Sequence, residues 1–478
     1  MHILSDNDLF HRLAFDNPWW EFKSDTRIQF RNPPKRTLFN SFVKHIDAFN
    51  EDGKNRPVIS LLAGPLRAGK TVMLRQTVAH LIERGVKSTH IFYCNMTVPS
   101  YTAADIHVLF EMFCRRYRHG PNAEIYILYD EIQYIKDWQK SLIDLSKLRP
   151  KTRFIAALSS GAPTITNATL TGDGQFKTFV LSPLSFREFM RLRRTEDKLF
   201  SKPDTHQDQK IALKHAALPA LNAEWHRYVN FGGFIEGIAL SKEGQPAPTF
   251  IRDGVADRVL HKDLASLHGI NDAQELNRLF GLLAFNTARE VSIDELAKAL
   301  KIAKNTLRKY LDYLEQAFLI RRLPRVDRKA KRFQRAVSFK VYLTAPCLYS
   351  ALFAPVPMDD QYFQRLAETA LVTQWLGSNT MDQLAYSSWK TGAIDFMIMD
   401  KQTDIPTHVF ELDWNNTYTG PDKRPQNLVN FITDTAPKAH PYILTRSQAR
   451  AASMHGVDLT LVPLALYAYW IDLGDGTS

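Results

Sequence analysis

Cysteine is scarce in this 478-residue chain: Cys94, Cys114 and Cys347 are the three present, with no metal-ligand spacing. That number is too small for a disulfide framework, so packed cores must carry stability. Long apolar runs are scarce as well. The most apolar stretch, Leu459 to Ile471, is too short to cross a bilayer and contains Pro463. It reads as a buried C-terminal element. Asp6, Asp8, His11 and Arg12 interrupt any resemblance to a signal peptide at the N-terminus. These absences predict a soluble, cytoplasmic protein with no membrane partner. Acidic residues are the minority charge, 50 against 61 lysines and arginines. The length implies about two to four domains, each able to bury its own core.

Against this background one stretch stands out. Ile59 to Ala63 is a short apolar run with the character of a buried strand. Gly64-Pro-Leu-Arg-Ala-Gly-Lys-Thr71 then fits G-x-x-x-x-G-K-[ST] at every position, and Val72 onward has helical composition. Strand, glycine-bounded loop and helix N-terminus are what a phosphate cradle requires. Gly64 and Gly69 permit the bend and bring backbone N–H groups close to phosphate oxygens, so the whole loop, Gly64, Pro65, Leu66, Arg67, Ala68 and Gly69, is expected to line the nucleotide. Lys70 would reach the β/γ-phosphates of ATP, and the Thr71 hydroxyl would ligate Mg²⁺. Downstream, Ala123 to Gln133 gives an apolar strand ending in two carboxylates, Asp130 and Glu131. Asp130 is expected to support the metal and Glu131 to polarise the attacking water, with Lys70 completing the catalytic set. Thr152 to Leu158 reads as a further core strand, where Ser159 or Ser160 either orients the γ-phosphate and water or caps a turn. Strand and helix alternation over 58–185 predicts an α/β fold, a parallel sheet with helices on both faces and the ligand at the strand C-termini.

Ahead of this core, residues 1–35 form a Pro-punctuated arm carrying Asn17-Pro-Trp-Trp20. The paired tryptophans either anchor the arm or lie beside a nucleobase. Leu38–Phe49 and Ile106–Tyr117 read as helices, and Thr89–Asn95 as a second strand.

The arm NPWW, the loop GPLRAGKT, the strand LYDEIQ followed by Trp138, SSG, Leu181-Ser-Pro-Leu-Ser-Phe-Arg-Glu-Phe189 and Gly232-Gly-Phe-Ile-Glu236 occur in that order. The set resembles prokaryotic AAA-superfamily (archaeal-type) P-loop ATPases that carry a C-terminal restriction-endonuclease-like domain of unassigned function. One departure is Gly172-Asp-Gly-Gln-Phe-Lys177, where that family usually places Gly-Arg. Any trans-acting charge on the γ-phosphate must then come from Lys177 or an arginine elsewhere.

The charge excess is local. Residues 301–340 hold thirteen basic and three acidic residues, a net +10 of the chain's +11. Such a concentration points to a polyanion, most simply DNA. From Asp294 the sequence follows a helix–turn–helix rhythm, with Leu296, Leu300 and Ile302, then Leu307, Leu311 and Leu314, as apolar faces. Asn305-Thr306 is expected to cap the second helix, Phe318–Leu323 to begin a wing, and 325–335 to form its tip. In a winged helix the second helix enters the major groove and the wing meets phosphate. Lys304, Arg308, Lys309, Arg328, Lys329, Lys331 and Arg332 are the expected contacts; the alternative is an interdomain packing module with solvated charges.

The resemblance implies that Glu368, Asp395, Glu411 and Asp413 occupy the positions of the endonuclease-like acidic cluster. Phosphodiester cleavage there needs Mg²⁺-holding carboxylates and usually a lysine two residues after the last, where this chain has Asp413; Lys390 or Lys401 is the candidate substitute. The domain is therefore expected to be degenerate. The expected division is 1–35 arm, 36–190 AAA-type P-loop ATPase core, 191–250 helical lid or insertion, 251–339 winged helix and 340–478 endonuclease-like domain. The expected function is a Mg²⁺-dependent ATPase that binds DNA, with nucleotide state coupled to DNA binding or homo-oligomeric assembly. The alternatives are an ATP-gated Mg²⁺-dependent nuclease and a slow NTPase switch that oligomerises on a trigger, with defence against mobile DNA as one setting.

Overall fold

The computed structural model describes residues 5–21, 34–48, 59–102, 104–159, 175–201, 213–214, 216–240, 247–264, 273–333, 337–419 and 425–473. They form two compact units, Met1–Leu181 and Ser182–Ser478.

The first unit is built on five parallel strands: β1 (Ile59–Ala63), β2 (Ile91–Asn95), β3 (Tyr126–Asp130), β4 (Arg153–Leu158) and β5 (Phe176–Val180). Their order in the sheet is β2-β3-β4-β1-β5. The central strands are continuous apolar runs because both faces are covered. α1 (Asp6–Asp16) leads into the arm, its Phe10 meeting Tyr117. On one face α2 (Phe39–Asp47) and α3 (Lys70–Glu83) set Phe42, Ile46, Leu74 and Val78 against Leu62, Tyr93, Leu128 and Ile155. On the other, α4 (Ile106–Tyr117) brings Phe113 to Phe92 and Phe110 to Phe154, and α5 (Trp138–Leu148) packs beside it. The arm is tied to β2. Asn17 is fully buried and bonds both the N–H and the C=O of Tyr93, and both tryptophan indole N–H groups donate to Ile91 O. This anchors the tryptophans at the N-terminal end of β2, the opposite end from the glycine loop.

The second unit contains α6 (Leu218–Phe231), α7 (Ala273–Phe285), α8 (Ile293–Leu300) and α9 (Lys304–Gln316). Its nine-stranded mixed sheet runs β13-β14-β12-β11-β10-β9-β7-β8-β6. The strands are β6 (Arg289–Ser292), β7 (Ile320–Val326), β8 (Ser338–Leu343), β9 (Leu384–Trp389), β10 (Gly392–Met399), β11 (Pro406–Asp413), β12 (His440–Thr445), β13 (Arg450–Met454) and β14 (Val457–Pro463). The helical segment α7–α9 is thus followed by the β7–β8 hairpin. Parallel pairing of Arg325 and Val326 with Tyr386 and Ser387 joins that hairpin to the remaining strands. α10 (Phe363–Val372), α11 (Gln426–Thr435) and α12 (Leu464–Ile471) complete the unit. The apolar run noted at 459–471 becomes the end of β14 and α12, largely buried.

Helix α9 begins at Lys304, at least two residues earlier than a cap at Asn305-Thr306 would place it. Ala303 is its extended N-cap and makes no side-chain bond. Asn305 instead accepts from Arg308, inside the first turn. By contrast α8 has a true cap, Ser292 Oγ accepting from Glu295 N at 3.0 Å.

Candidate functional site

The glycine loop links the C-terminal end of β1 to α3. Gly64 has no room for a side chain: a Cβ there would lie 2.2 Å from Leu181 O, just past β5. Gly69, at φ +98, turns the chain into the helix without a side-chain cap, leaving the first-turn N–H groups for a ligand. Arg67 also has a positive φ of 65, and Arg36 braces the loop from outside by donating to Ala68 O at 2.6 Å. Lys70 is buried. Its ammonium donates to Gly64 O at 3.0 Å and Pro65 O at 2.8 Å, curling over the loop it belongs to. Carbonyl oxygens are weaker partners for an ammonium than phosphate oxygens, so these bonds are exchangeable.

Asp130 stands at the end of β3, and the sheet order leaves one strand, β4, between it and the glycine loop. The Thr71 hydroxyl donates to Asp130 Oδ2 at 2.6 Å, and Tyr93 OH donates to the same oxygen at 2.9 Å. The other oxygen, Oδ1, is buried and has no hydrogen-bond partner. Burial, reinforced by the charge of Glu131, raises the Asp130 pKa. An orphaned carboxylate oxygen beside a hydroxyl is a hard donor pair suited to Mg²⁺. Glu131 adopts φ 54, a left-handed conformation that redirects its side chain from the strand. Ser159 Oγ and Gln133 Nε2 both donate to Glu131 Oε2 at 2.5 Å, and Gln133 also reaches Ser159 at 3.0 Å.

The structure therefore brings Lys70, Thr71, Asp130, Glu131 and Ser159 to one end of one sheet. Ser160, Val58 and the segment 172–174 lie outside the described residues. Lys177 pairs in register with Ser60, near the start of β5 and away from the loop end. Two residues escape sequence reading: Tyr93 and Gln133. Tyr93 is interior to an apolar strand with nothing local to mark its hydroxyl. Gln133 lies two residues after Glu131, and that proximity was the available signal.

In the second unit Lys340, from β8, links Glu368 to Asp395, and the charges of Asp395 and Asp413 reach Glu411; among the described residues no group of three or more His, Cys, Asp or Glu is placed to hold a metal ion. Lys340 Nζ donates to Glu368 Oε1 at 2.6 Å and Asp395 O at 3.0 Å, with Asp395 Oδ1 at 3.7 Å. Tyr342 OH donates to Glu368 Oε1 at 2.6 Å, Leu412 N to Asp395 Oδ2 at 2.8 Å, and Tyr418 OH to Glu411 Oε1. Asp413 accepts from Thr417 N, Thr417 Oγ1 and Tyr418 N. Burial pushes Glu368 and Glu411 up to about 7. Among the described residues neither Lys390 nor Lys401 bonds to these carboxylates; Lys340 holds that place, counted in sequence only as part of the basic run.

Much of that basic run is neutralised by tertiary partners. Arg321 pairs with Asp382 and Glu315, Arg322 with Asp312 and Glu315, and Arg325 with Glu290. Of the seven expected phosphate contacts, Lys304 pairs with Asp294, Arg328 with Asp434 and Arg332 with Asp404, all at exposed positions. Arg308 bonds Asn305, and Lys309, Lys329 and Lys331 are exposed with no ion pair among the described residues.

Comparison with known proteins adds to this geometry. Residues 56–190 match the model of the AAA domain, and residues 222–359 match a domain of unknown function (DUF8612). An uncharacterized protein of Haemophilus influenzae is 24% identical over 291 residues, 59% of this chain and 66% of the relative. Uncharacterized protein MJ1544 of Methanocaldococcus jannaschii is 24% identical over 295 residues, 61% of this chain and 62% of the relative. The chain thus spans just under two thirds of the length of these curated relatives. Among solved structures, the Aeropyrum pernix Orc1 protein in complex with DNA aligns at 13% identity and TM-score 0.33, over 67% of this chain and 92% of that one. AMPPCP-bound DnaA from Aquifex aeolicus aligns at 12% and 0.30, over 60% and 90%. Superposition at that level carries no weight for function. The parallel sheet, its glycine loop and the AAA domain match together define a P-loop NTPase fold in a chain that is mixed α/β throughout. No helix among the described residues is long and apolar enough to cross a membrane.

Proposed function

We propose that this chain is a cytoplasmic, Mg²⁺-dependent ATPase that binds DNA through a basic winged helix, with nucleotide state coupled to DNA binding or assembly. The observation that carries the reading is the convergence of Lys70, Thr71, Asp130 and Glu131 at the C-terminal ends of β1 and β3. On ATP binding, Lys70 exchanges Gly64 O and Pro65 O for β/γ-phosphate oxygens, while the loop from Gly64 to Thr71 presents its N–H groups. Thr71 and Asp130 are the residues that would hold Mg²⁺, which supplies charge neutralisation at the phosphates. Glu131 orients and polarises the attacking water once its carboxylate is released from Ser159 and Gln133. Ser160 is a further nucleotide-binding residue in this reading.

The proposed division follows the sequence: arm 1–35, ATPase core 36–190, lid 191–250, winged helix 251–339 and an endonuclease-like domain 340–478, with β8 straddling the last boundary. The helices α7–α9 followed by the β7–β8 hairpin support a winged helix. Lys309, Lys329 and Lys331 are free for phosphate. Lys304, Arg308, Arg328 and Arg332 can join them, since exposed ion pairs are worth little and exchange readily. The terminal domain is proposed to be non-cleaving, because Lys340 is committed to Glu368 and most carboxylate oxygens already accept internal donors.

A second reading, a slow switch, is favoured by one observation: Glu131 is held by two donors, Ser159 Oγ and Gln133 Nε2. Phosphate release from ATP with Mg²⁺, with and without duplex DNA, for wild type and Lys70→Ala, tests both. DNA-stimulated turnover lost in the variant supports the coupled ATPase. Absence of Lys70-dependent turnover with ATP-dependent assembly on sizing supports the switch.

A further inference from the structure

The second unit carries an aromatic and arginine surface that the ATPase reading does not use. Phe285 ends α7 and Phe353 follows the helix Cys347–Leu352; they are 42% and 47% exposed. Their rings meet at 5.7 Å, Tyr349 meets Phe353 at 4.8 Å, and Tyr362 meets Phe285 at 6.3 Å. The Arg365 guanidinium lies over the Tyr362 ring at 5.2 Å. Four rings from three segments thus share one patch with an arginine.

That arginine is under-satisfied. Its buried NH1 has no hydrogen-bond partner, and neither Arg365 nor the nearby, exposed Arg289 has a carboxylate partner among the described residues. Desolvation, and then the like charge of Arg289, lower the Arg365 pKa. The carboxylates whose charge reaches this patch are engaged elsewhere: Glu368 by Lys340 and Tyr342, Asp360 by the Tyr362 N–H. A desolvated, unpaired guanidinium beside a second positive charge costs stability and returns none to the fold. Half-exposed phenylalanines beside it cost solubility. Both features gain a use if a ligand supplies anionic groups next to flat apolar faces.

We propose that Phe285, Phe353, Tyr362, Arg365 and Arg289 form a single-stranded nucleic-acid platform, in which bases stack on the rings and phosphates pair with the arginines. Single-stranded chain fits this chemistry because unpaired bases expose their faces, and stacking on aromatics is tolerant of sequence. Duplex DNA offers phosphate but hides its base faces. The surface uses none of the lysines and arginines expected at the basic hairpin tip; resting on the DNA reading, it extends that reading to a second class of strand.

The test uses the full chain, a fluorescein-labelled oligothymidylate of about 20 nucleotides and a labelled duplex, read by anisotropy at fixed salt. The double variant Phe285→Leu/Phe353→Leu keeps apolar bulk and removes stacking, and is expected to weaken single-strand binding about tenfold or more while leaving duplex binding within about twofold. Phe353→Trp is expected to retain single-strand binding. Arg365→Met/Arg289→Gln should weaken it and flatten its salt dependence. Substituting Lys309, Lys329 and Lys331 by alanine should instead weaken the duplex.

Absence of measurable single-strand binding by wild type overturns the platform. So does equal behaviour of Phe353→Leu and Phe353→Trp, or a shift of oligomeric state in the leucine variant with single-strand binding intact, which would make the patch a contact between copies. ATP turnover by the same leucine variant is expected to match wild type. Failure of the ATPase reading would appear separately, as Lys70-independent phosphate release.

Discussion

Both units place a buried lysine beside buried carboxylates, yet the two arrangements differ in what the lysine holds. In the first, Lys70 donates to backbone carbonyls of its own loop, and Asp130 retains an oxygen with no partner. In the second, Lys340 is bonded to Glu368, while Asp395 and Asp413 accept from backbone and hydroxyl donors. Glu411 keeps Oε2 without a partner, but burial pushes its pKa up to about 7, so a proton has a place there near neutral pH. The first site carries bonds that a phosphate and a cation can replace with stronger ones. The second has closed its charges on one another. Similar residue types therefore do not indicate similar use; what separates the sites is whether the groups are spent.

Exchanging the roles of the two lysines tests this contrast most directly. Lys70→Ala is expected to lower ATP turnover about a thousandfold, with little change in melting temperature, because it leaves carbonyls that water or loop N–H groups can satisfy. Lys340→Met is expected to do the reverse. It leaves Glu368 without its cation and should cost about 3 kcal/mol in urea unfolding, with turnover per folded molecule unchanged. Loss of turnover in both variants, at equal stability, would break the comparison. Glu131→Gln belongs with the first site. It should retain ATP binding and lose turnover about a hundredfold, measured by single-turnover phosphate release.

A smaller effect follows from Glu411. Its pKa is raised from 4.5 to about 7 in the folded chain. A folded state that holds its proton more tightly is favoured below pH 4.5, and that advantage is lost as pH rises through 7. Glu411→Gln removes the term, so the variant should gain on wild type by about 3 kcal/mol between pH 5 and pH 8 in denaturant unfolding. A constant difference across that range would mean that Glu411 is ionised in the fold and its site remains open to a cation.

How much of this was legible in the sequence differs by site for a physical reason. Phosphate binding by backbone N–H groups demands a contiguous loop, so Gly64 to Thr71 announces itself, and Asp130 follows at the end of the next apolar strand but one. Ion pairing across a fold demands no contiguity. Lys340 sits 28 residues from Glu368 and 55 from Asp395, and reads locally as one more member of a basic run. The same blindness inflated the basic segment: Arg321 meets Asp382 and Arg325 meets Glu290, both outside 301–340. Local capping signals misled at Asn305, whose side chain turned to Arg308, so α9 starts at Lys304. The joining of β7 to β9 in one sheet was likewise invisible, because two residue pairs carry it.

Tyr93 gives the finest test of what keeps the first site open. It is fully buried on β2, donates to Asp130 Oδ2, and carries the Arg75 guanidinium 4.8 Å from its ring. With Thr71 it occupies one carboxylate oxygen and so leaves Oδ1 as the acceptor that faces no protein donor. Tyr93→Phe keeps the ring, and with it the packing on β2, but removes one of the two donors. Stability should fall by only about 1 kcal/mol, the usual net worth of one hydrogen bond. The carboxylate is then free to rotate, so the Mg²⁺ concentration that half-saturates turnover should rise severalfold while the Michaelis constant for ATP at saturating Mg²⁺ stays near wild type. Asp130 held in place by Thr71 alone would instead give an unchanged Mg²⁺ dependence, and the hydroxyl of Tyr93 would then serve the fold and not the metal.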